Sequence, residues 1–274
     1  MLIALRKHWE LCVGWGLVAA LLLVLVPAAC TTQQDAVART LCQSNFKQLA
    51  QRLSIYAEEN RDVYPTIQQH AGPDCTGPNH SVMMFDGPSM YPEYLEDWKM
   101  LVCPEAMDPA KAEAEGLWTA GGAIAPCLFD NSSYFYFGWA VAPEGSPAAQ
   151  GSRYAEGIRQ LLESASPAAF AADFDGVGPE TGPFTLYRLR PRLDATAIDV
   201  GFQIEAVPVM MDMFRSLAKM EQFNHSPGGS NVLYLDGHVE FMRYNPSGQA
   251  YPMVEALGET MALLRREQQR QQPE

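Results

Sequence analysis

Two histidines and two aspartates near the carboxyl end are the side chains of this sequence best suited to chemistry. His225, Asp236 and His238 fall within fourteen residues, and Asp212 precedes them. Imidazole and carboxylate groups together can bind zinc or act as a general acid and base. A structural interpretation is stronger, because Asp236 and Gly237 form a tight-turn dipeptide that His238 directly follows. We therefore predict no catalytic residue and no enzyme.

An acidic segment earlier in the chain could bind calcium. Asp173, Asp175 and Glu180 are interspersed with glycines, as oxygen ligands are in calcium loops. The segment lacks the full ligand set of an EF-hand, so we favour an acidic surface turn, with Ca²⁺ as the alternative. The sequence contains no Gly-x-Ser-x-Gly, HExxH or phosphate loop. The prediction is that the protein needs no cofactor.

Four cysteines follow the first thirty residues: Cys42, Cys75, Cys103 and Cys127. In an oxidising compartment they could form up to two disulfides, with three connectivities. None forms a CxxC pair, and their wide spacings lack the clustering of a zinc site. We predict structural bridges or buried free thiols, and we favour a bridge between Cys75 and Cys103, which flank one irregular segment.

Composition limits the class of protein. The 274 residues include 19 Lys and Arg against 32 Asp and Glu, a formal net charge of −13. Phosphate binding needs clustered cations, so nucleic acid is excluded as a partner. A hydrophobic fraction of 47% with 19% charged residues is typical of a folded chain. The 21 glycines and 20 prolines favour a loop-rich domain over a helical bundle.

The first thirty residues differ from the rest. Residues 11–29 carry no charge, and Arg6 and Lys7 precede them. A helix of that length is about 28 Å long, close to the roughly 30 Å of a bilayer core. The positive-inside rule places the N-terminus in the cytoplasm. We predict a single-pass protein of the bacterial inner membrane with an extracytoplasmic C-terminal domain.

Two other interpretations of this segment remain open. It could be a cleaved secretory signal that ends at Pro27-Ala28-Ala29. It could also be a lipoprotein signal with the lipid on Cys30, which would make the protein an exported ligand-binding lipoprotein. The mass of the mature N-terminus separates the three interpretations.

Hydrophobic periodicity predicts the elements of the exported part. We expect an amphipathic helix over 35–60, short helices over 91–100, 108–117 and 155–164, and a last helix from about residue 253. Strands are predicted for the aromatic run 134–139 and for 184–189 and 199–209. The expected apolar face of the first helix consists of Val37, Leu41, Phe46, Leu49, Leu53 and Tyr56.

The clearest local prediction is a β-hairpin within residues 231–244. A two-residue turn at 236–237 suits Asp-Gly, because both central residues of such a turn need a positive φ. That register pairs Tyr234 with Val239 and Val232 with Phe241.

Two separated blocks of the chain carry a shared pattern, made by Asn45, Leu49, Tyr64 and Pro65 in the first block and by Asp212, His225, Gly228, Asn231, Asp236, Gly237 and His238 in the second. This pattern resembles that of bacterial type II secretion pseudopilin-like proteins, which carry a prepilin-type N-terminal cleavage/methylation domain. The first block spans 42–65, and the second resembles a C-terminal tag in which a His precedes an Asp-Gly by a fixed interval. Ten residues intervene here where the tag usually has nine. At the family's cleavage position, Leu5-Arg6 replaces the usual Gly and aromatic residue, so processing is not expected.

The resemblance implies a structural protein of the bacterial cell envelope, related to type II secretion and type IV pilus components. Its partners would be the lipid bilayer and other pilin-like or secretion-system subunits. The expected α+β fold has a long N-terminal membrane-spanning helix, whose amphipathic extension packs on an antiparallel β-sheet, and loop-rich insertions. The expected parts are 1–29 (stub and membrane helix), 30–62 (extension), 63–252 (globular domain) and 253–274 (last helix and tail).

Overall fold

The computed structural model describes residues 35–78, 82–164, 166–214, 223–225, 228–245 and 249–271. The strands are β1 (His70–Ala71), β2 (Gly77–Pro78), β3 (Thr119–Ala120), β4 (Ala123–Ile124), β5 (Tyr134–Tyr136), β6 (Trp139–Val141), β7 (Phe174–Gly178), β8 (Gly182–Arg188), β9 (Pro208–Asp212), β10 (Gly229–Tyr234) and β11 (Val239–Arg243). The helices are α1 (35–59), α2 (Gly87–Met90), α3 (Pro109–Ala114), α4 (Pro147–Ser164), α5 (Pro167–Ala171), α6 (Leu193–Thr196) and α7 (Glu255–Gln271).

Antiparallel pairing organises the described strands into two main sheets. The larger sheet has the order β11-β10-β9-β5 and the smaller one β6-β8-β7. Helix α1 lies on the larger sheet, and α4 packs on the smaller sheet and on α7. The prediction of an α+β protein with antiparallel sheets is confirmed.

The aromatic run 134–139 contributes a strand to each sheet, because the extended backbone is interrupted at Gly138. This glycine has a φ of +68°, a conformation that side chains disfavour. The chain leaves β5 in the larger sheet before it and enters β6 in the smaller sheet after it. One predicted strand is therefore two.

Helix α1 buries one face on the larger sheet. Phe46 contacts Tyr134 of β5 with ring centroids 4.7 Å apart, and the Arg39 guanidinium lies 4.6 Å from the ring centroid of Phe241 in β11. Val37 and Leu41, which we predicted to lie on the apolar face, are instead exposed. The fully buried face recurs at helical spacing and consists of Cys42, Phe46, Leu49, Leu53 and Ala57.

The structure contradicts the prediction of a membrane-spanning helix and, with it, the prediction of a single-pass localisation in the inner membrane. Within the described ranges, no helix combines the length and apolarity that crossing a membrane requires. Helix α1 is amphipathic: one face is buried on the sheet, and polar side chains such as Lys47 and Arg52 lie on its other sides. The apolar stretch 11–29 lies outside the described residues.

The predicted hairpin forms, but its turn and register are wrong. Leu233 pairs with Val239 and Val232 with Glu240, one residue away from the expected register. The loop has three residues, 235–237, and only Gly237 among them has a positive φ, at +85°. A three-residue loop with glycine in the left-handed position replaces the two-residue turn, since Asp236 stays at negative φ and its carboxylate accepts the backbone N–H of His238.

Two other predicted elements differ in type, and two are confirmed. The segment 199–209 was expected to be a strand, but it contains 3₁₀ turns at Ile198–Val200 and Ile204–Ala206, and Pro208 begins β9 rather than ending a strand. Segment 91–100 forms turns and a 3₁₀ helix at Trp98–Leu101 instead of an α-helix. The helices predicted at 108–117 and 155–164 are confirmed as α3 and the second half of α4.

A disulfide joins Cys75 to Cys127, and the bridge that we favoured between Cys75 and Cys103 is wrong. The irregular segment folds so that the 3₁₀ helix Pro126–Leu128 lies beside β1, which brings Cys127 to the loop of Cys75. Cys103 is free and buried elsewhere.

We expect loss of this disulfide to lower the free energy of unfolding by about 2–4 kcal/mol, because the bridge closes a long loop in the unfolded chain. Urea unfolding of a Cys75→Ser, Cys127→Ser double variant measures the effect. The parent protein without reductant is the reference. A double variant as stable as the oxidised parent would contradict a stabilising role for the bridge.

Candidate functional site

Four side chains from distant parts of the chain meet where α1 crosses the larger sheet. Cys42 comes from α1, Cys103 from the segment after Trp98–Leu101, Asp212 from the end of β9, and His225 from the approach to β10. One ligand atom from each lies within 4.8 Å of all the others. We call these four residues the helix–sheet junction.

Asp212 is fixed by β10. The backbone N–H and the side-chain amide of Asn231 both donate to Asp212 Oδ2, each at 2.7 Å. His225 Nε2 lies 2.9 Å from the same oxygen. The Ser230 hydroxyl donates to the Asp212 carbonyl at 2.7 Å. Because Asp212 is 1% exposed, these contacts replace the water that an ionised carboxylate requires.

His225 is held between two carboxylates. Its Nδ1 contacts the Glu105 carboxylate and its Nε2 faces Asp212 and Cys103, the last at 3.7 Å from Sγ. Burial lowers the pKa of His225, but the hydrogen bonds with Asp212, Cys103 and Glu105 outweigh it and raise the pKa to about 12. In this arrangement of protein groups alone the imidazole is an imidazolium.

The two cysteines of the junction form a close sulfur pair. Cys42 Sγ donates to Cys103 Sγ across 2.7 Å. That hydrogen bond, with the help of His225, lowers the pKa of Cys103 to about 7, although burial opposes it. The same hydrogen bond and burial raise the pKa of Cys42 far above its ordinary value. Of the two cysteines, Cys103 therefore loses its proton more readily, and its sulfur faces His225.

The burial of the four junction residues limits the reactions in which they can take part. Cys42 and Cys103 are 0% exposed, and Asp212 and His225 are 1% exposed. A nucleophilic thiolate needs access to its substrate, so the pair is not arranged to attack an external molecule. The junction instead links α1 to the sheet, with donor atoms of the kinds that zinc accepts.

Asn45 extends the link one turn along α1. Its side-chain amide donates to the Val102 carbonyl at 3.3 Å and to the Tyr134 hydroxyl at 3.2 Å. The backbone N–H of Cys103 donates to the Ser133 hydroxyl at 2.9 Å. The helix, the segment of Cys103 and strand β5 are thus joined by hydrogen bonds beside the four junction residues.

The structure separates the three histidine and aspartate residues that the sequence grouped together. His225 is buried in the junction, whereas Asp236 and His238 lie at the exposed tip of the hairpin. There His238 Nδ1 lies 2.6 Å from the Asp236 carboxylate, and its ring stacks on Tyr234. These two residues shape the loop.

The acidic segment belongs to the smaller sheet. Asp173 precedes β7 and pairs with Arg190 at 2.6 Å, and Asp175 accepts the Thr185 hydroxyl at 2.6 Å. Glu180 is exposed in the turn between β7 and β8. Among the residues that the structure describes, these three do not form a group of converging ligand atoms.

Two other residues of the resemblance, Tyr64 and Pro65, lie where α1 gives way to the sheets. Both carbonyls accept from Arg188 Nη2, at 2.7 and 3.0 Å, and Pro65 also accepts the Tyr136 hydroxyl at 2.8 Å. Leu49 is fully buried on the face of α1 that packs on the larger sheet. Gly228, at a φ of +99°, directly precedes β10, and its backbone N–H donates to the His225 carbonyl at 2.9 Å.

Sequence reasoning missed Cys42 and Cys103 as members of a site. It looked for cysteines close together in sequence, whereas these two lie 61 residues apart. The available signal was that Cys42 opens the first block of the resemblance. Cys30, the lipidation site of the alternative interpretation, lies outside the described residues. Comparisons of this chain with models of known protein families, with curated proteins and with solved structures find no match.

Proposed function

We propose that this chain is a pseudopilin-like structural protein of the bacterial cell envelope, which works by associating with other pilin-like or secretion-system subunits. One observation carries the proposal: the two blocks of the resemblance, far apart in sequence, meet at the helix–sheet junction. Cys42 and Asn45 come from the first block, and Asp212, His225 and Asn231 come from the second. Their shared role is to fasten a long N-terminal helix across an antiparallel sheet.

The buried character of the junction favours a structural role over catalysis. Its four residues are at most 1% exposed, so their contacts serve to hold α1 in position. The disulfide between Cys75 and Cys127 fits a protein that folds in an oxidising compartment.

Helix α1 also offers a surface for association. Val37, Leu41 and Ile55 are 55%, 50% and 43% exposed and are three of the five large hydrophobic side chains that are exposed in the described part of the chain. At 3.6 residues per turn they lie on one side of the helix, opposite the face that contains Cys42 and Leu53. Exposed apolar side chains along one helix side suit packing against another helix.

Photo-crosslinking in the encoding bacterium tests the proposal. A photoreactive amino acid at Leu41 of the full chain is expected to yield adducts with a second copy or with other pilin-like subunits, identified by mass spectrometry. The control position is Glu180, an exposed residue of the smaller sheet, where we expect few such adducts. Adducts from Leu41 that contain no pilin-like subunit, or no adducts at all, would overturn the proposal.

A further inference from the structure

We infer that the helix–sheet junction is a zinc site, in which Cys42, Cys103, Asp212 and His225 bind one Zn²⁺ and fasten α1 to the larger sheet. The inference does not depend on the pseudopilin proposal, since a metal can fasten this helix whatever the protein associates with.

The donor set is one that zinc prefers. Two cysteine sulfurs, one imidazole nitrogen and one carboxylate oxygen supply four ligands, the coordination number of structural zinc sites. Zinc binding would release the protons that Cys42 and His225 carry in the metal-free site. The two soft thiolates so formed disfavour Mg²⁺ and Ca²⁺, which take oxygen ligands. All four side chains are at most 1% exposed, as expected of a closed structural site rather than a catalytic one with an open position.

The distances suit an ion after small movements. Tetrahedral zinc keeps sulfur at about 2.3 Å and nitrogen at about 2.0–2.1 Å, which separates neighbouring ligand atoms by about 3.3–3.8 Å. Cys103 Sγ and His225 Nε2 are 3.7 Å apart. The 2.9 Å between His225 Nε2 and Asp212 Oδ2 and the 2.7 Å between the sulfurs are shorter. An ion therefore needs Asp212 and Cys42 to move outward by about 0.5–1 Å.

The surroundings of the ligands match those of metal sites. Glu105 contacts His225 Nδ1, the ring nitrogen that faces away from the cluster, as carboxylates do behind zinc-bound histidines. Asn231 holds Asp212 Oδ2 by two hydrogen bonds. Asp212 Oδ1 is buried and has no hydrogen-bond partner among the described residues. A carboxylate oxygen in that position costs free energy unless a cation or another donor reaches it.

A disulfide between Cys42 and Cys103 is the competing state. The sulfur separation of 2.7 Å is too long for a disulfide, which measures about 2.05 Å. A disulfide is neutral, however, and would not draw the Asp212 carboxylate and the His225 imidazole to within 4.8 Å of both sulfurs. Zinc accounts for the sulfurs and the carboxylates together.

Elemental analysis tests the inference on the full chain, expressed with zinc in the medium and dialysed against a mild chelator. We expect about one Zn²⁺ per chain. X-ray absorption should show two sulfur and two nitrogen or oxygen neighbours. The zinc content of the His225→Ala variant should be at least tenfold lower than that of the parent protein. The His238→Ala variant, which changes an exposed histidine of the same segment, should retain the parent's zinc content.

Further measurements cover the case in which His225→Ala fails to fold. The parent chain is stripped of zinc under reducing conditions and titrated with Co²⁺, and thiolate-to-cobalt charge-transfer absorption is expected at one equivalent. Non-reducing peptide mapping should find Cys42 and Cys103 as free thiols. A parent protein without zinc, a cobalt titration without thiolate bands, or a mapped Cys42–Cys103 disulfide would each overturn the zinc site. The crosslinking experiment reads out association alone, so the two proposals fail separately.

Discussion

Replacing Asp212 with alanine is expected to lower the free energy of unfolding by about 3–5 kcal/mol, the usual cost of removing one partner from a buried charge pair. The change leaves His225, which lies 2.9 Å from Asp212 Oδ2, without that carboxylate. It also removes the acceptor of two Asn231 hydrogen bonds. Urea unfolding of the full chain measures the loss. The contacts of Asp212 with His225 and Asn231 form without a metal, so a loss of this size should persist in chelator, which removes the contribution of the proposed zinc ion.

Two variants define the origin of that loss. Asp212→Asn keeps an oxygen acceptor for the Asn231 N–H but removes the charge, so we expect an intermediate effect of about 1–3 kcal/mol. Asp236→Ala removes a partly exposed aspartate that also lies beside a histidine, and exposed pairs contribute less than about 1 kcal/mol. If Asp212→Ala and Asp236→Ala lower the free energy of unfolding equally, burial of the Asp212 network does not increase its contribution to stability.

Arg188→Met is expected to cost about 3–5 kcal/mol as well. Arg188 is 2% exposed, its guanidinium lies 4.9 Å from the ring centroid of Trp139, and it donates to the carbonyls of Gly138, Tyr64 and Pro65. Each carbonyl that loses its donor costs about 1–3 kcal/mol. Removal of a charge that burial disfavours, as the lowered pKa of Arg188 indicates, offsets part of the sum.

The neighbouring Arg190 is the matched control for this prediction. Its ion pair with Asp173 is partly exposed, so Arg190→Met should cost less than about 1 kcal/mol. Thermal or urea unfolding of both variants gives the comparison. If Arg188→Met unfolds like Arg190→Met, the three carbonyl contacts do not hold the sheets to the segment after α1.

Local patterns predicted most elements of the fold but not their pairing. The period of Phe46, Leu49 and Leu53 identified the buried face of α1, because helix geometry is set by neighbours in sequence. The hairpin was recognised from Asp236-Gly237, yet its register was missed by one residue. Both loop lengths suit that dipeptide, and the choice depends on pairing between β9 and β10.

The site was predicted only in part, for a similar reason. His225 and Asp212 attracted attention because they lie near each other in sequence. Cys42 and Cys103 did not, because a ligand set assembled by tertiary contacts leaves no spacing pattern. Likewise, nothing local distinguishes the buried Arg188 from the partly exposed Arg190, two residues further on. Strand alternation would put both side chains on one face, but β8 ends at Arg188, and Arg190 lies beyond the strand, where that rule no longer applies.

The wide separation of the junction residues has a consequence for biosynthesis. Helix α1 leaves the ribosome early, but β9, β10 and His225 are translated much later. Until then the helix face around Phe46 and Leu49 has no sheet to cover it, and exposed apolar surface of this kind promotes aggregation. Nascent chains that end before Asp212 therefore leave this helix face uncovered, and the junction can close only after His225 has been translated.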